Sequence, residues 1–164
     1  MKGDDFEGGR VAGKLFTHQN TLYVFGGKTD KERKNDTRKL SLSTASASWE
    51  NVEYKGYTPQ KRSSGCGAFY EKKLYVFGGT DEEEVGLLDS IIAFDPENEI
   101  WELVEPISEK KPKARSELRA FVYKHYFYIF GGCTKHMTFS GCLNDTWRFN
   151  FKEKMWEEIS ASGE

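Results

Sequence analysis

One hexapeptide occurs three times in this chain. LYVFGG spans residues 22–27 and again 74–79, and the variant FYIFGG spans 127–132. The first residues of successive copies are 52 and 53 positions apart. A fixed period of this length is typical of repeat proteins, in which each repeat forms one supersecondary unit. The spacing therefore predicts three consecutive copies of one structural unit.

Three further residue types recur in step with the hexapeptide. An arginine lies 16 residues before the first glycine of each pair, and a tryptophan follows the second glycine by 22, 22 and 24 residues. An aspartate precedes the next apolar segment of each repeat. The recurring residues are Arg10, Arg62 and Arg115; Gly26, Gly27, Gly78, Gly79, Gly131 and Gly132; Asp36, Asp89 and Asp145; and Trp49, Trp101 and Trp156. This order, three times over, indicates that the repeat covers nearly the whole chain.

Each repeat contains the pattern of four short strands. The second repeat is the clearest, with SSGCGAFY, KLYVFG, DSIIAF and IWELVE separated by polar turns such as DPENE. No segment shows a sustained apolar period of 3.6 residues, so we expect almost no helix. All four residues before the glycines of LYVFGG are apolar or aromatic, which predicts a strand covered on both faces. The repeat thus predicts four-stranded sheets stacked face to face.

The glycine pairs and the tryptophans are predicted to have structural roles. Glycine adopts positive φ without strain and lets neighbouring chain segments approach closely. A tryptophan in the outer strand has enough area to fill the gap between adjacent sheets. We therefore expect Trp49, Trp101 and Trp156 to be largely buried at equivalent places.

The arginine, the aromatic strand with its double glycine and the spaced tryptophan resemble the kelch repeat, from about residue 10 to residue 159. The histidine that is common a few residues after the arginine in that family is replaced by Gly13, Gly65 and Leu118. The resemblance implies an all-β fold, a kelch-type β-propeller segment of three four-stranded antiparallel blades within residues 1–164. The expected blades cover residues of about 8–55, 60–106 and 113–160.

Three blades do not close a propeller, because propellers have about 4–8 blades. Two completions are open: the chain is part of a larger propeller, or it is half of a two-chain ring. The expected partners therefore include further kelch blades in the same chain or a second copy of it. Blade faces left bare would be exposed apolar patches.

Charge and composition limit the other partners. The formal net charge is −2, and no apolar run approaches the roughly 20 residues of a membrane span, so we expect neither nucleic acid nor membrane as a partner. The first ten residues, MKGDDFEGGR, have no apolar segment typical of a secretory signal, and we expect a cytoplasmic or nuclear protein.

The candidate metal ligands share one loop. Cys133, His136 and Cys142 form C-x2-H-x5-C, which supplies three donors without the paired spacing of a structural zinc site. We expect free thiols, no metal and no cofactor. No nucleophile, base and acid can be assembled from the residues, so an enzyme is not expected. The alternative is a catalytic or small-ligand propeller with a site in the central channel.

The resemblance implies a protein-interaction module, a scaffold or adaptor that binds through loops. The loops after the glycine pairs and the loops before the first strands would share one face, and their sequences differ between repeats. Basic residues predominate there, which favours an acidic peptide segment as the bound part of the partner. The predicted partner contacts are Lys61, Arg62, Lys110, Lys111, Lys113, Arg115, Asp81, Glu82 and His136. The recurring arginines could instead have a structural role. The alternative to an interaction module is a structural subunit that docks onto other proteins through its exposed blade faces.

Overall fold

The computed structural model describes residues 9–43, 48–81, 86–134 and 141–160. These residues form strands, turns and loops, and none of them lies in a helix. Accordingly, the described ranges contain no helix long and apolar enough to cross a membrane. The prediction of an all-β chain is confirmed.

The described strands fall into three sheets, one for each repeat. Blade one contains β1 (Lys14–His18), β2 (Thr21–Phe25), β3 (Thr37–Ser41) and β4 (Glu50–Asn51). Blade two contains β5 (Lys55–Gly56), β6 (Cys66–Tyr70), β7 (Lys73–Phe77), β8 (Ile91–Asp95) and β9 (Ile100–Val104). Blade three contains β10 (Arg119–Tyr123), β11 (Tyr126–Phe130), β12 (Thr146–Asn150) and β13 (Met155–Ile159).

Each blade is an antiparallel meander of four strands, as predicted. Blade two has one more strand, because the segment that connects it to blade one adds β5 in parallel to β9. The N–H of Lys55 donates to the carbonyl of Glu99 at 2.9 Å, and that of Tyr57 to the carbonyl of Trp101 at 2.8 Å. Two residues are too few to show a strand pattern, so the sequence did not predict β5.

The blades pack face to face through two apolar clusters. The cluster between blades one and two comprises Tyr23, Phe25, Val52, Leu74, Val76, Ile92, Phe94 and Trp101. The cluster between blades two and three comprises Cys66, Phe77, Ile91, Leu118, Phe127, Ile129, Trp147, Phe149 and Trp156. Blade two is therefore covered on both faces, as the LYVFGG pattern predicted. Among the described sheets, blades one and three each have a neighbouring blade on one face.

The tryptophans do not occupy equivalent environments. Trp101 and Trp156 are 0% and 3% exposed, which confirms their prediction. Trp49 is only partly buried, so the prediction of equal burial is wrong for it. The reason is the position of its blade: no described sheet covers the face of blade one on which Trp49 lies.

The glycine pairs end the second strand of each blade with the backbone in the left-handed region. In blade two, φ is 69° at Gly78 and 105° at Gly79. A Cβ atom on Gly78 would lie 2.6 Å from the carbonyl oxygen of Arg115, and one on Gly79 would lie 2.6 Å from that of Ser63. Both reasons given for glycine, positive φ and close backbone approach, therefore apply.

Candidate functional site

The loops after the three glycine pairs emerge on one face of the blades, which we call the double-glycine face. One isolated β-bridge closes the stem of each loop, and a second joins the stem to the segment before the first strand of its own blade. The bridged residues are Val11, Lys28 and Arg33 in blade one; Ser63, Thr80 and Leu87 in blade two; and Ser116, Cys133 and Cys142 in blade three. The three stems are thus built alike on rigid blades.

The recurring arginine joins the segment before the first strand to the residue that precedes the third strand. In blade three, the guanidinium of Arg115 donates to both carboxylate oxygens of Asp145, at 2.6 and 2.8 Å, and to the carbonyl of Gly131 at 2.9 Å. Arg10 binds Asp36 in the same bidentate way, at 2.7 and 3.0 Å. The hydrogen bond from Arg115 lowers the pKa of Asp145, because it stabilises the charged carboxylate.

Arg62 lacks this carboxylate. Its guanidinium donates to the carbonyl of Gly78 at 3.2 Å and to the hydroxyl of Ser90 at 3.1 Å. Burial without a close carboxylate lowers the pKa of Arg62 to about 10. Ser90, and not Asp89, therefore occupies the position of Asp36 and Asp145.

The assignment of Asp89 to the repeat was wrong by one residue. Asp89 forms an ion pair with Lys111 at 2.7 Å instead. The segment from the first glycine to this position is 10, 12 and 14 residues long in the three repeats, so spacing alone does not fix it.

Two of the predicted partner contacts, Arg62 and Arg115, are buried, so the prediction that they touch a partner is corrected. They are 2% and 0% exposed, and their donors face the backbone and the third strand of their own blades. A partner at the double-glycine face would not reach these guanidinium groups. Their role is structural, which is the alternative that the sequence left open.

Of the predicted lysines, Lys110, Lys111 and Lys113 are exposed and Lys61 is half-buried, and two of the four form ion pairs within the chain. Lys61 donates to one carboxylate oxygen of Glu32 at 2.7 Å, and Lys34 donates to the other at 2.7 Å. These hydrogen bonds, first that of Lys34 and then that of Lys61, lower the pKa of Glu32 to about 2. Sequence reasoning missed Glu32, because only the fold brings the loop of blade one beside Lys61.

Lys110 and Lys113 are exposed and form no ion pair with any residue in the described ranges. Lys111 is also exposed, and Asp89 balances its charge. Asp81 is partly buried, and its N–H donates to the carbonyl of Gly86 at 2.9 Å. The predicted contacts Glu82 and His136 lie outside the described residues.

Arg33 is a second residue that the sequence did not single out. Its Nε–H lies 3.0 Å from the hydroxyl of Ser63 and 3.1 Å from that of Thr80. Both hydroxyl groups belong to blade two, whereas Arg33 belongs to the loop of blade one. The side chain therefore fixes one loop of the double-glycine face to its neighbour.

The cysteines of the third loop face each other across its stem. The Sγ atoms of Cys133 and Cys142 are 3.3 Å apart, and Cys66, Cys133 and Cys142 form no disulfide. Burial raises the pKa of the Cys66 thiol to about 12, in keeping with a small buried side chain in a blade interface. In residues 9–43, 48–81, 86–134 and 141–160, no group of three histidine, cysteine or acidic side chains is arranged to hold a metal ion.

The family model described as KLHDC2/KLHL20/DRC7 Kelch-repeats domain matches residues 2–164. Kelch domain-containing protein 1 of Homo sapiens is 29% identical over 147 residues, which are 85% of this chain and 35% of that protein. Kelch domain-containing protein 3 of Bos taurus is 30% identical over 153 residues, 87% of this chain and 38% of that protein. Kelch-like protein 40 of Xenopus tropicalis is 29% identical over 152 residues, 88% of this chain and 23% of that protein. The chain thus spans well under half the length of these relatives.

Proposed function

The chain belongs to the Kelch-repeat family, and on that premise we propose that it is a protein-interaction module, a scaffold or adaptor that binds a partner through its double-glycine face. The observation that carries this proposal is the construction of that face. Three loop stems of the same bridged geometry stand side by side on rigid blades. A rigid scaffold that presents variable loops is the usual arrangement of a binding surface.

The loops differ in sequence, whereas their stems share the same pattern of two β-bridges. The segments after the glycine pairs read KTDKERKND, TDEEEVGLL and CTKHMTFSGCLN. Bonds across the blades, such as those from Arg33 to Ser63 and Thr80, hold neighbouring stems in fixed positions. Because the stems are already ordered before binding, the entropic cost of binding a partner is lower. Specificity then comes from the side chains of the loops.

The exposed charges favour an acidic segment of the partner. Lys110 and Lys113 precede the first strand of blade three without an ion pair among the described residues, and Lys28 and Lys31 are exposed in the loop of blade one. Several cations on one face attract an anionic segment, and added salt weakens this binding because it screens the charges. Lys61 and Lys111 contribute less, since Glu32 and Asp89 already balance their charges.

The test of the proposed face uses a fluorescein-labelled oligoglutamate peptide and fluorescence anisotropy. At about 10 mM salt, where charges interact over about 30 Å, we expect the peptide to bind, and binding to weaken as salt is raised. The variant Lys110→Glu/Lys113→Glu should lower the affinity several-fold, because it reverses two charges that no described residue neutralises.

The matched control is Lys124→Glu/Lys152→Glu. Both lysines are exposed in turns of blade three at the opposite ends of its strands, and the change in net charge is the same. We expect this variant to bind more tightly than the first. Equal loss of affinity in the two variants would show that only net charge matters, and unchanged affinity in the first variant would place the site elsewhere.

A further inference from the structure

The stem of the third loop places two cysteines opposite each other. Cys133 follows the glycine pair of blade three, Cys142 lies where the chain returns toward β12, and an isolated antiparallel β-bridge pairs them. Their Sγ atoms are 3.3 Å apart, whereas a disulfide bond is about 2.05 Å long. The two thiols, which we call the stem cysteines, are therefore in contact and form no disulfide.

The backbone of the stem holds the stem cysteines in a geometry that accommodates a disulfide. The N–H of Thr134 donates to the carbonyl of Gly141 at 3.0 Å, and the N–H of Leu143 donates to the carbonyl of Gly132 at 2.8 Å. These two bonds flank the cysteines, which therefore form a non-hydrogen-bonded pair. In such a pair the Cα atoms are about 4.5 Å apart, and disulfides span Cα distances of about 4.4–6.8 Å. Rotation of the side chains is thus sufficient to form the bond.

The cysteine pair distinguishes the third stem from the other two. The corresponding bridged pairs are Lys28 with Arg33 in blade one and Thr80 with Leu87 in blade two. The chain between the bridged residues is four, six and eight residues long in the three stems. Because the entropic cost of closing a loop rises with its length, the third stem is the one that a covalent link stabilises most.

The two stem cysteines differ in access to solvent. Cys133 is 8% exposed, whereas Cys142 is exposed. The hydrogen bond with Cys142 raises the pKa of the Cys133 thiol, and burial raises it further. A disulfide is attacked by a thiolate and not by a thiol, so Cys142 is the cysteine that reacts first with an oxidant in solution. Cys133 then lies within reach of the product.

We propose that Cys133 and Cys142 are a thiol–disulfide pair that links the stem of the third loop covalently when a small disulfide, such as oxidised glutathione, oxidises it. Cys142 loses its proton to solvent, and its thiolate attacks one sulfur of the small disulfide and releases the first small thiol. Cys133 then loses its proton, and its sulfur attacks the Sγ atom of Cys142 and releases the second small thiol. Two protein thiols are oxidised to one disulfide, and the small disulfide is reduced to two thiols.

The modification acts on the double-glycine face. The stem belongs to one of the three loops of that face, so oxidation restrains this loop and leaves the strands of the blades unchanged. An excess of the small thiol reverses the exchange and restores the two stem thiols. The stem cysteines react in this way whether or not the double-glycine face binds a partner.

Intact-mass spectrometry of the full chain after incubation with oxidised glutathione tests the site. The wild type should lose two hydrogen atoms and retain no glutathione. Cys133→Ser should retain one glutathione on Cys142, because no second thiol resolves the mixed disulfide. Cys142→Ser should react several-fold more slowly, because the stem thiol that remains is buried. Cys66→Ala is the matched control and should be oxidised like the wild type, because Cys66 lies in the interface between blades two and three.

Hydrogen exchange of the oxidised and the reduced protein tests whether the disulfide holds the stem. Oxidation should slow exchange of the N–H groups of Thr134 and Leu143 several-fold, because both bonds cross the stem and a covalent link opposes its local opening. The N–H groups of β11 should exchange at the same rate in both forms. The double variant Cys133→Ser/Cys142→Ser, treated with the same oxidant, should show no slowing at the stem.

Four results would overturn the proposal. They are a wild type that stays reduced, a wild type that retains glutathione without forming the link, loss of the link in Cys66→Ala, and equal exchange at the stem in the oxidised and reduced forms. Uptake of glutathione by Cys142→Ser as fast as by Cys133→Ser would overturn the assigned order of attack. Circular dichroism checks that each variant stays folded.

Discussion

Replacing Ser90 by aspartate should give Arg62 the partner that Arg10 and Arg115 already have. Arg62 is 2% exposed, and its acceptors in the described structure are carbonyl oxygens and the hydroxyl of Ser90. Asp36 and Asp145 occupy the matching position in the other blades and receive two hydrogen bonds each from their arginines. Blades one and three thus already contain the arginine–carboxylate pair that an aspartate at residue 90 would form in blade two.

The expected gain in the free energy of unfolding is about 1–2 kcal/mol. A hydrogen bond to a charged group contributes about 1.5–3 kcal/mol, and the new carboxylate forms two of them. The desolvation of that carboxylate offsets much of this gain, whereas the desolvation of Arg62 is already present in the wild type. The reverse change, Asp145→Ser, leaves the fully buried Arg115 without its carboxylate and should cost up to about 3–5 kcal/mol.

Urea unfolding at fixed protein concentration measures both changes, with Ser90→Asn as the neutral control of nearly equal size. The arginine lowers the pKa of Asp145 in the folded state, and the same direction is expected for an aspartate at residue 90. A lowered folded pKa stabilises the protein above the unfolded value of about 3.9, and the gain disappears as the pH falls through the folded value. The reasoning is refuted if Ser90→Asp is no more stable than Ser90→Asn at pH 7. It is also refuted if Ser90→Asp stays more stable at a pH at which the carboxyl of residue 90 is protonated in both the folded and the unfolded state.

Three further predictions concern the blade junctions and the third loop. Trp101→Ala should lower the free energy of unfolding by about 3–5 kcal/mol, because a fully buried ring between two blades is lost; a cost below about 1 kcal/mol in urea melts would contradict this. No described residue accepts a hydrogen bond from the buried Nε1–H of Trp156, and Ile91 occupies the position in blade two that Thr37, the acceptor for Trp101, occupies in blade one. We therefore expect Ile91→Thr to be at least as stable as the isosteric Ile91→Val, because the new hydroxyl would accept that hydrogen bond. A clearly less stable threonine variant would show that its hydroxyl does not reach the indole. Treatment with oxidised glutathione should link Cys133 to Cys142, whose sulfur atoms are 3.3 Å apart, and leave buried Cys66 reduced; peptide mass spectrometry would contradict this by finding Cys66 modified first.

The repeat pattern was sufficient to predict the strands around the glycine pairs. A run such as LYVFGG specifies a strand and its end locally, through the apolar side chains and the conformational freedom of glycine. The burial of Trp101 and Trp156 followed from the same pattern. The candidate site was less predictable, because ion pairs such as Lys61 with Glu32 join residues that only the packed blades bring together.

The register of the third strand shows where the sequence was ambiguous. Both Asp89 and Ser90 precede β8, and the loop before them differs in length from its counterparts. The hydrogen bonds that Ser90 accepts from Arg62 and from the N–H of Gly78 identify the equivalent position. Loop lengths vary at little energetic cost, so spacing across a loop carries less information than spacing within a strand.

The sequence by itself determined that this chain forms three antiparallel blades, because strand pattern, turn residues and glycine positions are local properties of each repeat. The tertiary structure alone decided which recurring residues are buried. Phe25 and Phe130 occupy the same place in the repeat, yet one is 1% exposed and the other 56%. The physical reason is that burial depends on the blade stacked against a residue, and a repeat unit does not record whether a neighbour follows it.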